Sequence, residues 1–144
     1  MINDLINSIN VILVQKFPNT KVYLSQSEKE VTRPSFFIRY ITSKQKDLNR
    51  NSYLDNITMK IIYFAPLDEF MNTDLVSQNE ILDAMREIFS SGYIKVLDRA
   101  VKIKKLRGRS KNTEIHLKLK IDFIQDKIFN TSESPKAETI NFKL

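Results

Sequence analysis

Three groups of side chains in this 144-residue chain are of types that could do chemistry. His116 is the only imidazole, and Glu114 and Lys118 flank it at alternate positions, a spacing in which a carboxylate can orient a base. No nucleophile is indicated beside it, so it reads as a solvated strand residue. The acids gather as Asp68 with Glu69, as Asp74, and as Glu80 with Asp83. The first pair follows Pro66 in a connector and the last sits on the polar face of a helix. Solvation and helix capping account for them without a metal or a pair of catalytic carboxylates.

The third group is basic and is the strongest local signal. Between Lys95 and Lys111 the chain carries eight basic residues against the single acid Asp98, a net +7, while the whole chain is +6. The rest of the chain is therefore close to neutral, and clustering of this kind points to an acidic partner. Counting excludes much else. With no cysteine, one histidine and two glycines, thiolate or multi-histidine metal sites and glycine-rich phosphate loops are out of reach, so no cofactor is expected. Nothing requires an oxidising compartment, and a cytosolic setting is expected. No stretch approaches the roughly 18 consecutive apolar residues of a membrane span. Acidic Asp4 stands where a signal peptide would be basic.

Elements must position these groups. Ile2, Leu5, Ile6, Ile9, Ile12 and Leu13 fall at helical spacing and predict an amphipathic helix that Pro18 ends near Lys16 or Phe17. A short extended piece, Lys21 to Leu24, and a polar loop, Ser25 to Arg33, follow. Pro34 then opens a strand from Ser35 to Lys46 whose first half is apolar on both faces and whose second half is polar. After a turn at Asn49 to Asn51, Ile57, Met59, Ile61 and Tyr63 alternate with Asn56, Thr58, Lys60 and Ile62 as the partner strand.

The second helix places Leu82, Met85, Ile88 and Phe89 on one face. Its start is open between a cap at Thr73 or Asp74 and the capping box of Ser77 and Glu80, and Gly92 is the expected stop. Extended structure should run from Ile94 through the basic segment and turn at Arg107 to Asn112 around Gly108. The last main strand is the clearest, with Ile115, Leu117, Leu119, Ile121 and Phe123 alternating against Glu114, His116, Lys118, Lys120 and Asp122. The order predicts one α+β domain over 1–128, an antiparallel sheet of about four to five strands with two helices packed on one face. Residues 129–144 read as a tether and a strand-like tail in which Ile140, Phe142 and Leu144 alternate with polar residues. Such a tail can add to an open sheet edge of another molecule or fold back on its own sheet.

Within the last hairpin, Lys102 and Lys104 are expected to share one outward face with Lys118 and Lys120. Like charges facing one another destabilise the sheet, and an acidic partner would relieve that. A protein partner is favoured over nucleic acid. Tyr93 is the only aromatic residue near the basic segment, and no helix carries the charge. The alternative is a small basic nucleic-acid-binding domain.

The leading helix, Phe17-Pro18, Val22-Tyr23-Leu24, Arg33-Pro34-Ser35-Phe36-Phe37-Ile38 and Lys60-Ile61-Ile62-Tyr63-Phe64-Ala65-Pro66, together with the order of elements over 1–128, resemble the tail terminator, or tail completion, proteins of phages and phage-tail-like particles. The likeness is to the contractile kind especially. It implies a small subunit without enzymatic activity or cofactor that forms a hexameric ring on the end of the tail tube, stops its growth and presents a head-joining surface. The implied partners are other copies of the chain, tail tube and sheath proteins and the head–tail connector, with DNA passing through the ring and not read by sequence. The implied setting is the host cytoplasm during assembly and then the virion or tail-like particle. On this reading Lys102, Lys104, Arg107, Arg109, Lys118 and Lys120 meet acidic surfaces; the tail beyond Lys127 lies outside the likeness, and contacts from Ile140, Phe142 and Leu144 to a neighbouring molecule are expected from its alternation instead.

Overall fold

The computed structural model describes residues 2–24 and 32–127. The tail expected at 129–144 and most of the loop expected from Ser25 to Arg33 lie outside the described residues. These form two helices and six strands: α1 (Ile2–Lys16), β1 (Lys21–Tyr23), β2 (Ser35–Asp47), β3 (Ser52–Phe64), α2 (Leu75–Ile88), β4 (Tyr93–Val96), β5 (Arg99–Lys111) and β6 (Glu114–Asp126).

Local chemistry explains most of the boundaries. α1 stops at Lys16, two residues before Pro18. Of the two candidate starts for α2 the aspartate is the cap, since the Asp74 carboxylate accepts from the Val76 backbone N–H and from the Ser77 hydroxyl. The turn between β2 and β3 is held by the Asn49 side-chain oxygen, which accepts from Asn51 N, Ser52 N and Ser52 Oγ. Gly92 is not the helix stop. α2 ends with Phe89 as its cap, and Gly92, at φ 82, serves the turn into β4.

The strands form one sheet in the order β1-β2-β3-β6-β5-β4. The α+β class and the two helices are as expected, but the sheet is larger than four to five strands and is mixed. β1 pairs parallel with β2 from Lys21 opposite Ser35 to Tyr23 opposite Phe37, and every other pairing is antiparallel. A parallel pair cannot be joined by a tight hairpin turn, which is why the short connections expected from the sequence do not indicate it. The extra strand arises because the run after Gly92 breaks at Leu97 and Asp98. Leu97 takes φ 56 there, and Val96 pairs back on Arg99.

The expected turn at Arg107 to Asn112 is also corrected. β5 continues through Gly108 to Lys111 and the turn falls on Asn112, at φ 53, and Thr113. Gly108 is glycine because α2 lies over it. A Cβ there would come within 2.8 Å of Leu82 Cδ1 and 2.9 Å of Arg86 Nη2.

Both helices pack on the same face of the sheet. Leu5, Ile9 and Leu13 of α1 and Met85 of α2, with Phe89 just beyond it, close over Ile57, Met59, Ile61, Ile115, Leu117, Leu119 and Ile121. The buried amide of Gln78 fastens α2 to the β5–β6 turn by donating to the carbonyls of Asn112 and Glu114. On the other face only a small apolar cluster forms, Phe37, Ile62 and Phe64 with Tyr23 against it. β2 is buried over its first four residues and exposed over its last eight. No helix among the described residues is long and apolar enough to cross a membrane.

Candidate functional site

The sheet face away from the helices is where the basic residues collect. Residues paired across adjacent strands project to the same face, so the register lists the neighbours directly. On β6, Glu114, His116, Lys118, Lys120 and Asp122 project outward, opposite the buried file from Ile115 to Phe123, as the alternation predicted. On β5 the outward residues are Lys102 opposite Asp122, Lys105 opposite Lys120, Arg107 opposite Lys118, and Arg109 opposite His116.

Lys104 departs from its expected place. The register shifts between Ile103 and Lys105, leaving Lys104 with no residue opposite it on β6. A one-residue bulge moves the outward phase from even to odd positions, so Lys105 takes the place expected for Lys104. Lys104 instead reaches Asp122, with Nζ 3.9 Å from Oδ2. That carboxylate also stands opposite Lys102, so this end of the hairpin is partly neutralised.

The register adds two strands that the hairpin reading did not include. Lys118 pairs with Lys60 on β3, and Lys60 pairs with Arg39 on β2. Arg39, Lys60, Lys118 and Arg107 therefore form one row across four adjacent strands, spaced by about 4.8 Å per strand. None of the four has an ion-pair partner among the described residues. Beside the row lies a depression of about 320 Å³ lined by Lys60, Arg107, Arg109, Lys111, His116 and Lys118. Alternation had placed Lys60 on the outward side of its strand. What no local pattern could supply was the strand order that puts β3 against β6.

Electrostatics registers this crowding at Lys60. Burial, and after it the positive charges of Arg39, Lys118, Lys111 and Arg109, hold its ammonium pKa below the ordinary lysine value. The folded state thus binds this proton less tightly than the unfolded state does. At neutral pH the burial of charged Lys60, and after it the neighbouring cations, cost stability, and the cost is relieved as pH rises through the folded pKa of Lys60 towards the unfolded value. In an NMR titration of the lysine side chains, Lys60 should lose its proton below the ordinary lysine range, and Arg39→Gln or Lys118→Gln should move its midpoint upward. A midpoint unmoved by both substitutions would mean that the row is not coupled.

The depression is not laid out as a catalytic centre. His116 is not the solvated strand residue expected: its side chain is only 16% exposed and its Nε2 lies 2.9 Å from Glu114 Oε1, the carboxylate that alternation sets beside it. The other side chains lining the depression are cations, and the lining includes no hydroxyl that the imidazole could activate. Among the described residues no cluster of three or more histidine, cysteine or acidic side chains is arranged to hold a metal. A larger groove of about 470 Å³, between Tyr63, Ala65, Pro66 and the start of α2, presents Asp74 and Glu80, the first already used as the helix cap.

Among the described residues, no helix covers the charged face of this α+β subunit's sheet. The chain matches the sequence model of the phage tail terminator proteins over residues 4–133, nine-tenths of its length, and it belongs to that family. No curated protein matches it.

Proposed function

We propose that the protein is a structural subunit that assembles into a ring, probed below as a hexamer, on the last ring of a contractile-type tail tube. It halts growth of the tube and offers the surface to which the head is joined. Membership of the tail terminator family supports the role. The observation that carries the mode of contact is the row Arg39, Lys60, Lys118 and Arg107, four cations across four strands with no acid among them. None of the four is ion-paired among the described residues, so an acidic protein surface docked there gains by relieving their mutual repulsion. Arg109 and Lys120 extend the same face, whereas Lys102 and Lys104 share Asp122 and contribute less. Residues 139–144, with Ile140, Phe142 and Leu144, are proposed to add contacts to a neighbouring molecule. No reaction and no cofactor form part of this role. The protein works first in the host cytoplasm and then as a component of the particle.

The test is tail length. Particles assembled without this chain should carry tubes of irregular, extended length and few joined heads, and supplying the chain should restore uniform tails with a six-fold ring at the head-proximal end in electron micrographs. Uniform tails of normal length in its absence would refute the proposal.

A further inference from the structure

The cationic face has a counterpart on the opposite side of the same molecule. Segment 67–90 carries six acids, Asp68, Glu69, Asp74, Glu80, Asp83 and Glu87, against the single base Arg86. On α2, Val76, Glu80, Asp83 and Glu87 recur at helical spacing and are all exposed, while Gln78 and Met85 are buried towards the sheet. Glu87 is paired with Lys16 at 3.3 Å, and neither Glu80 nor Asp83 has an ion-pair partner among the described residues.

Large apolar side chains crowd the start of this acidic surface. Phe70, Met71, Leu75 and Val76 are 74%, 68%, 64% and 66% exposed. Phe70 and Met71 stand on an ordered turn, in which the Asp68 carboxylate accepts from the backbone N–H groups of Phe70 and Asn72 and Met71 sits at φ 64, and Leu75 and Val76 open α2. Apolar residues presented together in this way mark a contact surface.

We propose that the cationic sheet face of one copy docks on the acidic outer face of α2 in the next copy, so that the subunits associate front to back. The inference rests on the ring-forming reading above and names the partner of the same face. α2 covers the core side of the sheet and the cation row lies on the other side, so the two charged surfaces face in opposite directions. A face-to-face pair of cationic surfaces would set like charges against one another, which disfavours the two-fold arrangement. Contact between two different surfaces of one chain is instead the heterologous kind, which closes into a ring when the rotation between copies permits. The occupant is therefore another copy: the complementary charge is already present on the chain, with Glu80 and Asp83 unpaired and exposed apolar side chains beside them.

The test uses the full chain, with equal parts of ordinary and ¹⁵N-labelled protein treated with a carbodiimide, which joins a lysine to a carboxylate only on contact. Amides linking differently labelled copies should connect Lys60, Lys118 or Lys120 to Glu80 or Asp83. Arg107→Glu with Lys118→Glu, and separately Glu80→Lys with Asp83→Lys, should each reduce such cross-linked dimers about tenfold. The chain carrying all four substitutions should recover them, now across the same positions with polarity exchanged, which also shows that the charge reversals do not unfold the protein. Absence of mixed-label amides between these two faces in the unaltered protein, or no recovery in the fourfold variant, would overturn the proposal. Tail length in particles lacking the chain is read separately, so failure of the terminator role and failure of this contact give different results.

Discussion

Leu119→Asp is expected to yield no folded protein. Leu119 lies in the middle of β6, opposite Met59 on β3 and Leu106 on β5, and is fully buried. Replacing it removes a core side chain, a loss of about 2–5 kcal/mol for a leucine cut back to alanine. It also places a carboxylate among the apolar side chains of Ile57, Met59, Leu117 and Ile121. The carboxyl must either be buried charged or take up a proton, and both add to the loss. The sum is comparable with the total stability of about 5–15 kcal/mol expected of a domain this size. The measurement is the soluble fraction on expression and the far-ultraviolet circular dichroism of any soluble material. Lys120→Asp, one residue on and on the outward face, is the control and should fold normally. Soluble, folded Leu119→Asp would show that the assigned core face of β6 is wrong.

Phe36→Ala should cost about 3–5 kcal/mol, as for other buried phenylalanines cut to alanine. The ring is fully buried and stands between Phe17, at 4.8 Å between centroids, and Tyr63, at 5.0 Å. Phe17 follows the last residue of α1 and donates its backbone N–H to Leu13, so this stack fastens the end of the helix to β2 and β3. The cavity left by the ring would loosen that junction as well as remove apolar area. In urea or thermal denaturation the variant should unfold roughly ten degrees or more below the unaltered protein. A loss below about 1 kcal/mol would mean that the junction repacks around the gap. The cation row should be unaffected, because Phe36 projects to the helix side while Arg39 and Lys60 project to the other.

Relief of repulsion and gain of contact are separable at the cationic face. The lowered proton affinity of Lys60 is a property of the isolated subunit, produced by burial and by Arg39, Lys118, Lys111 and Arg109. Docking of a carboxylate-rich surface would reverse it, since a nearby negative charge favours the ammonium form. Salt would screen both the repulsion within the row and the attraction across an interface.

How far the sequence could be read depended on how local each cause was. α1 was legible because its apolar spacing and Pro18 act within a turn or two of chain, and β6 because five consecutive alternations leave only one phase that buries its apolar set. The start of α2 was undecided between two caps that are chemically equivalent in isolation. The choice fell to Asp74, whose position lets Gln78 reach the β5–β6 turn. Gly108 was misplaced for a similar reason. A glycine among polar residues has the local signature of a turn, yet this one makes room for Leu82 and Arg86 of a helix that is distant in sequence from β5.

The amino-acid sequence by itself determined the concentration of charge, the inward and outward phase of β3 and β6, the α+β class and the resemblance to tail terminators. These depend on residue type and on periods of two or 3.6 residues, which do not require knowledge of the neighbours. Only the tertiary structure decided that β3 lies against β6, that a bulge hands the outward position from Lys104 to Lys105, and that Arg39 and Lys60 join Lys118 and Arg107 in one row. Strand order and register are set by how all the apolar faces are buried together, so a charge row perpendicular to the strands exists only once the sheet has formed.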